Sequence, residues 1–207
     1  MKYNISFNIL LSLTLLASNS LMAASFNCGK AATEIEHLIC DDPILNDADS
    51  KLGKAYKKLR RVLSKAETKL LVEEQRSWLE KRDLELINCS ELDCEVRFYE
   101  IRIKQLGPVA KAGFNCKKAK TSPEKKICAS RLLKHADGRL NSLYKLVKQP
   151  SPEFIQQQRD WIAVRNSRLN SSDCDKKCVW QFYQERTEAL INQVYFKTAI
   201  HNLEEDL

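Results

Sequence analysis

The chain has 207 residues and a formal net charge of +7, and its length accommodates one or two domains. It contains eight cysteines but only three histidines, a composition that argues against a zinc site. Neither a low-complexity segment nor a long flexible linker is present, so the units of the chain are expected to be in contact.

Residues 1–24 predict a Sec-type signal peptide. Lys2 gives a basic start, residues 9–16 are apolar apart from two hydroxyl residues, and small residues lead up to Ala24. A retained membrane anchor is the alternative, but the apolar run is short for a helix that spans a bilayer. We therefore expect a mature chain that begins at Ser25, has no transmembrane segment and is periplasmic or secreted.

One sequence pattern occurs twice. FNCGKAATEIEHLIC begins at Phe26, and FNCKKAKTSPEKKIC begins at Phe114, 88 residues later. Nine matching positions in the two segments indicate a tandem duplication. The chain then divides into repeat one (residues 25–106), a short linker (107–113), repeat two (114–194) and a C-terminal tail (195–207). The tail either extends the last helix or frays.

Each repeat is predicted to contain a short helix followed by about three longer helices. Thr33 and Glu36 form a capping box before the first helix of repeat one, and Pro43 stands at the first position of the next. Apolar residues then recur every three or four positions, which is the helical period. We expect the third helix to run from about Glu67 to Leu86. No segment alternates with the period of strands, so the predicted fold class is all-α.

An arginine follows a repeated tryptophan by one helical turn in both repeats. These arginines are Arg82 and Arg165, and we hypothesise that they pair with Asp49 and Asp137 to fix the register of the helices. Aromatic residues at helical spacing usually belong to a core, so we assign the tryptophans to packing rather than to ligand binding.

All eight cysteines follow the predicted cleavage site, and an even number in an exported chain indicates disulfide bonds. A helix rising about 12 Å, with an extended return of similar length, would bring Cys28 back to Cys40. The alternative pairing links the first helix to the distant turn, for example Cys40 to Cys89. The preferred local bonds, which would staple each repeat, are Cys28–Cys40, Cys89–Cys94, Cys116–Cys128 and Cys174–Cys178.

No constellation of catalytic residues stands out. His37, His135 and His201 lie outside any motif, and the chain lacks a glycine-rich phosphate loop and a serine-centred nucleophile elbow. The spacing of Cys174 and Cys178 resembles that of metal ligands, but an oxidising compartment favours a disulfide there. We therefore predict no catalytic residue, no metal site and no cofactor, and a protein that is not an enzyme.

The segment Gln75-Arg76-x-Trp78-x-x-x-Arg82-Asp83 recurs as Gln158-Arg159-x-Trp161-x-x-x-Arg165-Asn166. Together with the cysteine box and the Asp42-Pro43-x-Leu45 step, it resembles the lysozyme-inhibitor LprI-like family of bacterial envelope proteins. The likeness extends over nearly all of residues 25–194. It implies a helical protein of the periplasm or the cell exterior, and it implies lysozyme as a binding partner. The second copy departs from the pattern at Asn166, which replaces an acid.

The two repeats differ in charge. Repeat one has 15 basic and 16 acidic residues, a net charge of −1, whereas residues 112–194 have 16 and 8, a net charge of +8. Common lysozymes are cationic, so repeat one would be the better docking surface for one of them. Its candidate binding residues are Asp41, Asp42, Asp47, Glu73 and Glu74.

The leading hypothesis is an exported envelope binding protein that inhibits lysozyme by non-covalent occlusion, or binds another envelope protein. The alternative is a structural or accessory module that binds an anionic envelope polymer through repeat two. Export and disulfides disfavour nucleic acid as the partner. The simplest interpretation of both charged groups is a solvated surface. The candidate residues of the alternative are Lys117, Lys118, Lys120, Lys125 and Lys126.

Overall fold

The computed structural model of the protein describes residues 24–89, 92–147 and 150–196, and it describes the side chains of these residues except for 92–94 and 195–196. The predicted signal peptide up to residue 23 and the C-terminal tail from residue 197 lie outside the described residues. Within the described ranges the chain forms eight α-helices and no strand, which confirms the all-α fold. The helices are α1 (Glu34–Asp41), α2 (Pro43–Val62), α3 (Lys65–Asn88), α4 (Leu92–Leu106), α5 (Ser122–Ala129), α6 (Arg131–Tyr144), α7 (Pro152–Asn170) and α8 (Lys176–Ile191).

Each repeat supplies one short helix and three longer ones, as predicted. A single 3-10 turn precedes the short helix in both repeats, at Cys28–Lys30 and at Cys116–Lys118. The chain continues after α8 as a π-helical segment, Asn192–Phe196. The duplication seen in the sequence is therefore a duplication of the helical order.

The helix starts follow from local side-chain chemistry. Thr33 accepts the Glu36 N–H and Glu36 accepts the Thr33 N–H, which is the predicted capping box. Asp42 accepts two backbone N–H groups at the start of α2, where Pro43 occupies the first helical position. The third helix begins at Lys65 rather than at Glu67, because Ser64 and Glu67 form a second capping box.

The core lies between the longer helices of each repeat. Helix α2 packs mainly against α4 in repeat one, and α6 packs against α8 in repeat two. Leucines at helical spacing fill both contacts and leave the charged residues outside. Full burial of one such leucine stabilises the fold by about 1.5–3 kcal/mol. The central apolar residues include Leu45, Leu52, Leu59, Leu71, Leu132, Leu140, Leu143 and Leu190.

A buried aspartate organises the polar centre of repeat one. Asp49 is 2% exposed and accepts the hydroxyl of Tyr99 at 3.2 Å and the backbone N–H of Ser25 at 2.7 Å. Arg82 lies 3.6 Å from the same carboxylate, which agrees with the hypothesised pair. Burial, with the charge of Asp49, raises the pKa of the Tyr99 hydroxyl although Arg82 opposes the shift, so Tyr99 stays protonated and donates.

Repeat two builds the same centre from the corresponding residues. Asp137 accepts the hydroxyl of Tyr183 at 2.8 Å, a guanidinium N–H of Arg165 at 3.1 Å and the backbone N–H of Gly113 at 2.7 Å. Each aspartate thus ties three parts of its repeat together: the entering chain, the third helix and the fourth helix. Arg82 and Arg165, which belong to the segment that recurs in the sequence, are held in these two centres.

The entering chain crosses the long helix closely, and a glycine takes one side of a matching contact in both crossings. A Cβ on Gly53 would lie 2.5 Å from the Cβ of Ser25, and a Cβ on Gly113 would lie 2.7 Å from the Cβ of Asn141. Positions 25 and 113 correspond in the two repeats, as do positions 53 and 141. The space for one side chain is therefore given to the entering chain in repeat one and to the helix in repeat two.

Three disulfide bonds lie within the described side chains, and all three are local. Cys28 is bonded to Cys40 and Cys116 to Cys128, with Cα–Cα distances of 5.7 and 5.6 Å. Cys174 is bonded to Cys178, immediately before and within the start of α8. Cys89 is also disulfide-bonded. The predicted bond Cys89–Cys94 stays a prediction, because the side chain of Cys94 lies outside the described residues.

Glu67 joins the two repeats. It is 3% exposed; one carboxylate oxygen accepts hydrogen bonds from Ser64 at the start of α3, and the other accepts the Ser130 hydroxyl at 2.6 Å and the Leu132 N–H at 3.2 Å. Burial raises the pKa of this carboxyl, but the hydrogen bonds from Ser130, Ser64 and Leu132 outweigh burial and lower the pKa to about 2. One carboxylate therefore caps helices of both repeats.

His135 fixes the linker between the repeats. Its side chain is 1% exposed, its Nδ1 accepts the Ala110 N–H at 3.2 Å, and its Nε2 lies 3.1 Å from the carbonyl oxygen of Gln105. These contacts require a neutral ring with the proton on Nε2. Burial lowers the pKa of His135 to about 4, with the Gln105 carbonyl opposing the shift and Arg139 adding to it.

Candidate functional site

A groove of about 950 Å³ opens where repeat one meets repeat two. Helices α3 and α4 supply one side, and α8 of the other repeat supplies the opposite side. Its lining contains five glutamates against two lysines, so the groove is acidic although the whole chain is basic. The charged residues are Glu73, Glu74, Glu85, Glu185, Glu188, Lys81 and Lys177.

Two stacked aromatic rings contribute to the lining of the groove. The rings of Trp78 and Phe98 are parallel within 15° and their centroids are 5.2 Å apart. Tyr99 meets Trp78 edge-on at 5.5 Å, which connects the aromatic pair to the buried aspartate centre. Because Trp78 is only 8% exposed and Phe98 is partly buried, the pair is a rigid surface held by the core.

Two of the five groove carboxylates are engaged by cations of the chain itself. Glu74 forms a paired hydrogen bond with the buried guanidinium of Arg102, which also contacts Gln75 and lies 5.8 Å from the Trp78 ring. Glu73 lies 3.4 Å from the ammonium of Lys177 across the repeat junction. The remaining three, Glu85, Glu185 and Glu188, are exposed to solvent within the groove.

Repeat two has the same stacked aromatic pair, but there an arginine of the chain itself lies over the phenylalanine ring. Trp161 and Phe182 stack at 5.2 Å and 12°, and the guanidinium carbon of Arg168 lies 4.0 Å from the centroid of Phe182. The offset of 83 residues that relates Trp78 to Trp161 places Glu85 at the position of Arg168. The same offset places Gln156 and Gln157 opposite Glu73 and Glu74. The acidic residues that α3 supplies to the groove are thus specific to repeat one.

The structure separates the acidic residues predicted from the sequence into two places. Glu73 and Glu74 line the groove, whereas Asp41, Asp42 and Asp47 lie at the junction of α1 and α2. Asp42 caps α2 through the N–H groups at its start, and Asp47 forms an exposed ion pair with Lys51 at 2.5 Å. Local helix capping and surface pairing explain these two aspartates.

The basic residues predicted from the sequence lie on the surface of repeat two around its 3-10 turn and α5. All five are exposed, and Lys126 donates to the backbone carbonyl of Leu169 at the end of α7. The other four are Lys117, Lys118, Lys120 and Lys125. They leave a basic surface on the side of the molecule that is built by repeat two.

Among the histidines, His135 has a structural role. His37 is exposed, His135 holds the linker and His201 lies outside the described residues. Across the described ranges, no group of three or more His, Cys, Asp or Glu side chains has a geometry that could hold a metal ion. In the same part of the chain, no helix combines the length and the apolar character that crossing a bilayer requires.

Sequence reasoning missed the half of the groove that repeat two provides. Glu185 and Glu188 carried no signal, because an acidic residue on an exposed helix face is ordinary. Glu85 did have a sequence signal. It aligns with Arg168 of repeat two, so the charge is reversed at this position. The groove itself follows only from the packing of α8 against α4.

Comparison with known proteins identifies the family to which the chain belongs. A family model described as lysozyme inhibitor LprI matches residues 27–106 and again residues 116–199. No curated protein and no solved structure matches the chain. The two matched segments cover most of the sequence, and each contains one cysteine box and one buried aspartate centre. The chain therefore belongs to the lysozyme inhibitor LprI family, of which it carries two tandem copies.

Proposed function

We propose that the protein is an exported inhibitor of lysozyme that acts by non-covalent occlusion. The family match over both repeats carries this proposal, because the family is one of lysozyme inhibitors and not of enzymes. Local disulfides in both repeats are in keeping with a location outside the cytoplasm, in the periplasm or beyond the cell. The mature chain would begin at Ser25 after removal of the predicted signal peptide.

The mechanism we propose is capture of a cationic enzyme by the acidic groove. Glu85, Glu185 and Glu188 offer exposed carboxylates, and the stacked pair Trp78–Phe98 offers a rigid apolar surface beside them. Opposite charges on the two partners would steer encounter, and the body of the inhibitor would then block access of the cell-wall substrate. No covalent step is needed.

The test is a titration of the mature protein into a lysozyme assay that follows the lysis of a cell-wall suspension. We expect inhibition at micromolar protein that saturates at a fixed ratio of inhibitor to enzyme. Inhibition should weaken as ionic strength rises from about 0.01 to 0.15 M, because the Debye length falls from roughly 30 to 8 Å. Full lysis at a tenfold excess of inhibitor would reject the function.

A second candidate function is binding of an anionic envelope polymer through repeat two. The exposed cluster of Lys117, Lys118, Lys120 and Lys125 favours it. Co-sedimentation with an insoluble anionic cell-wall polymer would measure it, and replacement of these four lysines by glutamine should release the protein into the supernatant. If the four-lysine variant sediments as the wild type does, this candidate is rejected, whatever the result with lysozyme.

A further inference from the structure

We propose that the groove binds an arginine side chain of the cationic partner, stacked on Phe98 and paired with Glu85. This inference rests on the proposed function, because it names the chemistry by which the groove would recognise lysozyme. It commits the groove to one occupant, a guanidinium group that projects from a protein surface, and it names the ring and the carboxylate that would receive it.

Repeat two provides the geometric precedent. There, Arg168 from α7 lies 4.0 Å over Phe182, on a ring that is already stacked with Trp161. The three groups stack in the order tryptophan ring, phenylalanine ring and guanidinium group. Repeat one repeats the first two members with the same 5.2 Å spacing, and Phe98 lines the groove. The duplicated framework therefore presents, in repeat one, a ring of the kind that an arginine covers in repeat two.

The charge at the corresponding position is reversed. Glu85 replaces Arg168, so the cation of repeat two gives way to an anion in repeat one. A guanidinium that entered the groove would find both a ring to stack on and a carboxylate to receive its N–H groups. Arginine fits this combination better than lysine, since its planar group stacks on a ring and forms two parallel hydrogen bonds.

A polar group on the opposite side of the groove also lacks a partner. The amide nitrogen Nε2 of Gln184, on α8, is buried without a hydrogen bond among the described residues. Gln184 lines the groove together with Glu185 and Glu188. The groove lining combines both repeats, with Glu85 and Phe98 on one side and Gln184 on the other.

The direct test uses a hexapeptide of alternating arginine and glycine with blocked ends, measured by calorimetric titration against the whole mature protein. Its control is the same peptide with citrulline in place of arginine, which keeps the planar group but removes the charge. We expect the citrulline peptide to bind at least tenfold more weakly. Equal binding of the two peptides would overturn the proposal, because a neutral group would then suffice.

Variants of α3 separate the site from the general field of the protein. Glu85→Arg introduces the arginine that repeat two has at the corresponding position, and it should weaken binding of the arginine peptide at least tenfold. Glu80→Arg makes the same charge change at an exposed position of α3 outside the groove lining, and it should weaken binding less than threefold. Glu85→Gln removes only the negative charge, and its loss of peptide affinity should lie between the losses of the other two variants. Equal losses in Glu85→Arg and Glu80→Arg would overturn the proposal.

The lysozyme assay, run on the same variants, distinguishes failure of the inference from failure of the proposed function. If lysozyme is inhibited equally by the wild type and Glu85→Arg, the function stands and the arginine site is wrong. If the wild type binds the arginine peptide as predicted but leaves lysozyme active, the site stands and its partner is another cationic protein. Unchanged circular dichroism of each variant confirms that folding is intact.

Discussion

Asp49 in repeat one and Asp137 in repeat two are surrounded by the same three groups, yet the surfaces above them carry different charges. A tyrosine hydroxyl, an arginine and the N–H of the entering chain meet each carboxylate. One turn beyond that arginine, repeat one presents Glu85 and repeat two presents Arg168. Duplication therefore kept the buried framework and altered the exposed side of α3 and α7.

The difference between the buried centres and the exposed surfaces indicates which residues serve function. A buried aspartate with three donors is costly to change, because removal of one partner leaves the others unpaired in the interior. An exposed glutamate on a helix can become glutamine or arginine at small cost. The residues that the repeats share are therefore informative about folding, and the residues in which they differ are informative about partners.

The largest changes in stability are expected at the shared aspartates. Asp137→Ala should lower the free energy of unfolding by about 3–5 kcal/mol, because it leaves the buried Arg165 without a carboxylate. Asp49→Ala should cost less, because Arg82 keeps its hydrogen bonds to Asp83 at 2.6 and 2.8 Å. The larger loss is therefore expected in repeat two, where Asn166 stands in place of Asp83 beside the arginine. Urea denaturation followed by circular dichroism measures both. An equal or larger loss in Asp49→Ala would show that Asp83 does not compensate for the missing carboxylate of repeat one.

Glu67 tests the contact between the repeats. Its folded pKa of about 2 lies below the ordinary 4.5, so the folded state binds this proton less tightly than the unfolded chain does. The stabilisation is complete above pH 4.5, is lost as the pH falls toward 2, and amounts to about 3 kcal/mol for a shift of this size.

Glu67→Gln should therefore lose about this amount of stability at pH 7, and its unfolding free energy should be less sensitive to pH between 4.5 and 2. Glu73→Gln provides the control at the same repeat junction, where an exposed ion pair with Lys177 contributes less than about 1 kcal/mol. A pH profile of Glu67→Gln that remains parallel to that of the wild type would contradict the bridging role.

The elements within each repeat could be predicted from the sequence, whereas the contact between repeats could not. The capping box at Thr33 and the apolar period determine α1 and α2 through residues three or four apart. The pair Arg165–Asp137 followed from the repeat offset. Ser130, by contrast, lies 63 residues from Glu67, and no local rule connects a capping glutamate to a distant helix start. The groove depends on the same long-range packing.

His135 gives a second pH-dependent signal, in a different window. At pH 5 the unfolded chain carries a protonated histidine and the folded chain a neutral one, because the folded pKa of His135 is about 4 against an ordinary 6.5. Unfolding then takes up a proton, so the contribution is complete above pH 6.5 and declines as the pH falls toward 4, by up to about 3 kcal/mol.

Replacement of His135 by glutamine should flatten the profile between pH 6.5 and 4, whatever its effect on absolute stability. His37→Gln is the matched control, since His37 is exposed on α1. The measurement is the unfolding free energy at a series of pH values in urea. A slope that survives in the His135 variant would assign the acid sensitivity of this window to another group.

The smallest effect concerns the position at which the repeats differ. Arg168→Glu removes the guanidinium from Phe182 and should lower the free energy of unfolding by about 0.5–1 kcal/mol, the usual contribution of an exposed cation–π contact. Glu85→Arg should raise it by a similar amount, because the new arginine can reach Phe98 as Arg168 reaches Phe182. Thermal unfolding resolves shifts of this size. If Glu85→Arg brings no gain while Arg168→Glu brings a loss, the Phe98 ring is not accessible to a guanidinium, and repeat one would then have to recognise its partner through charge alone.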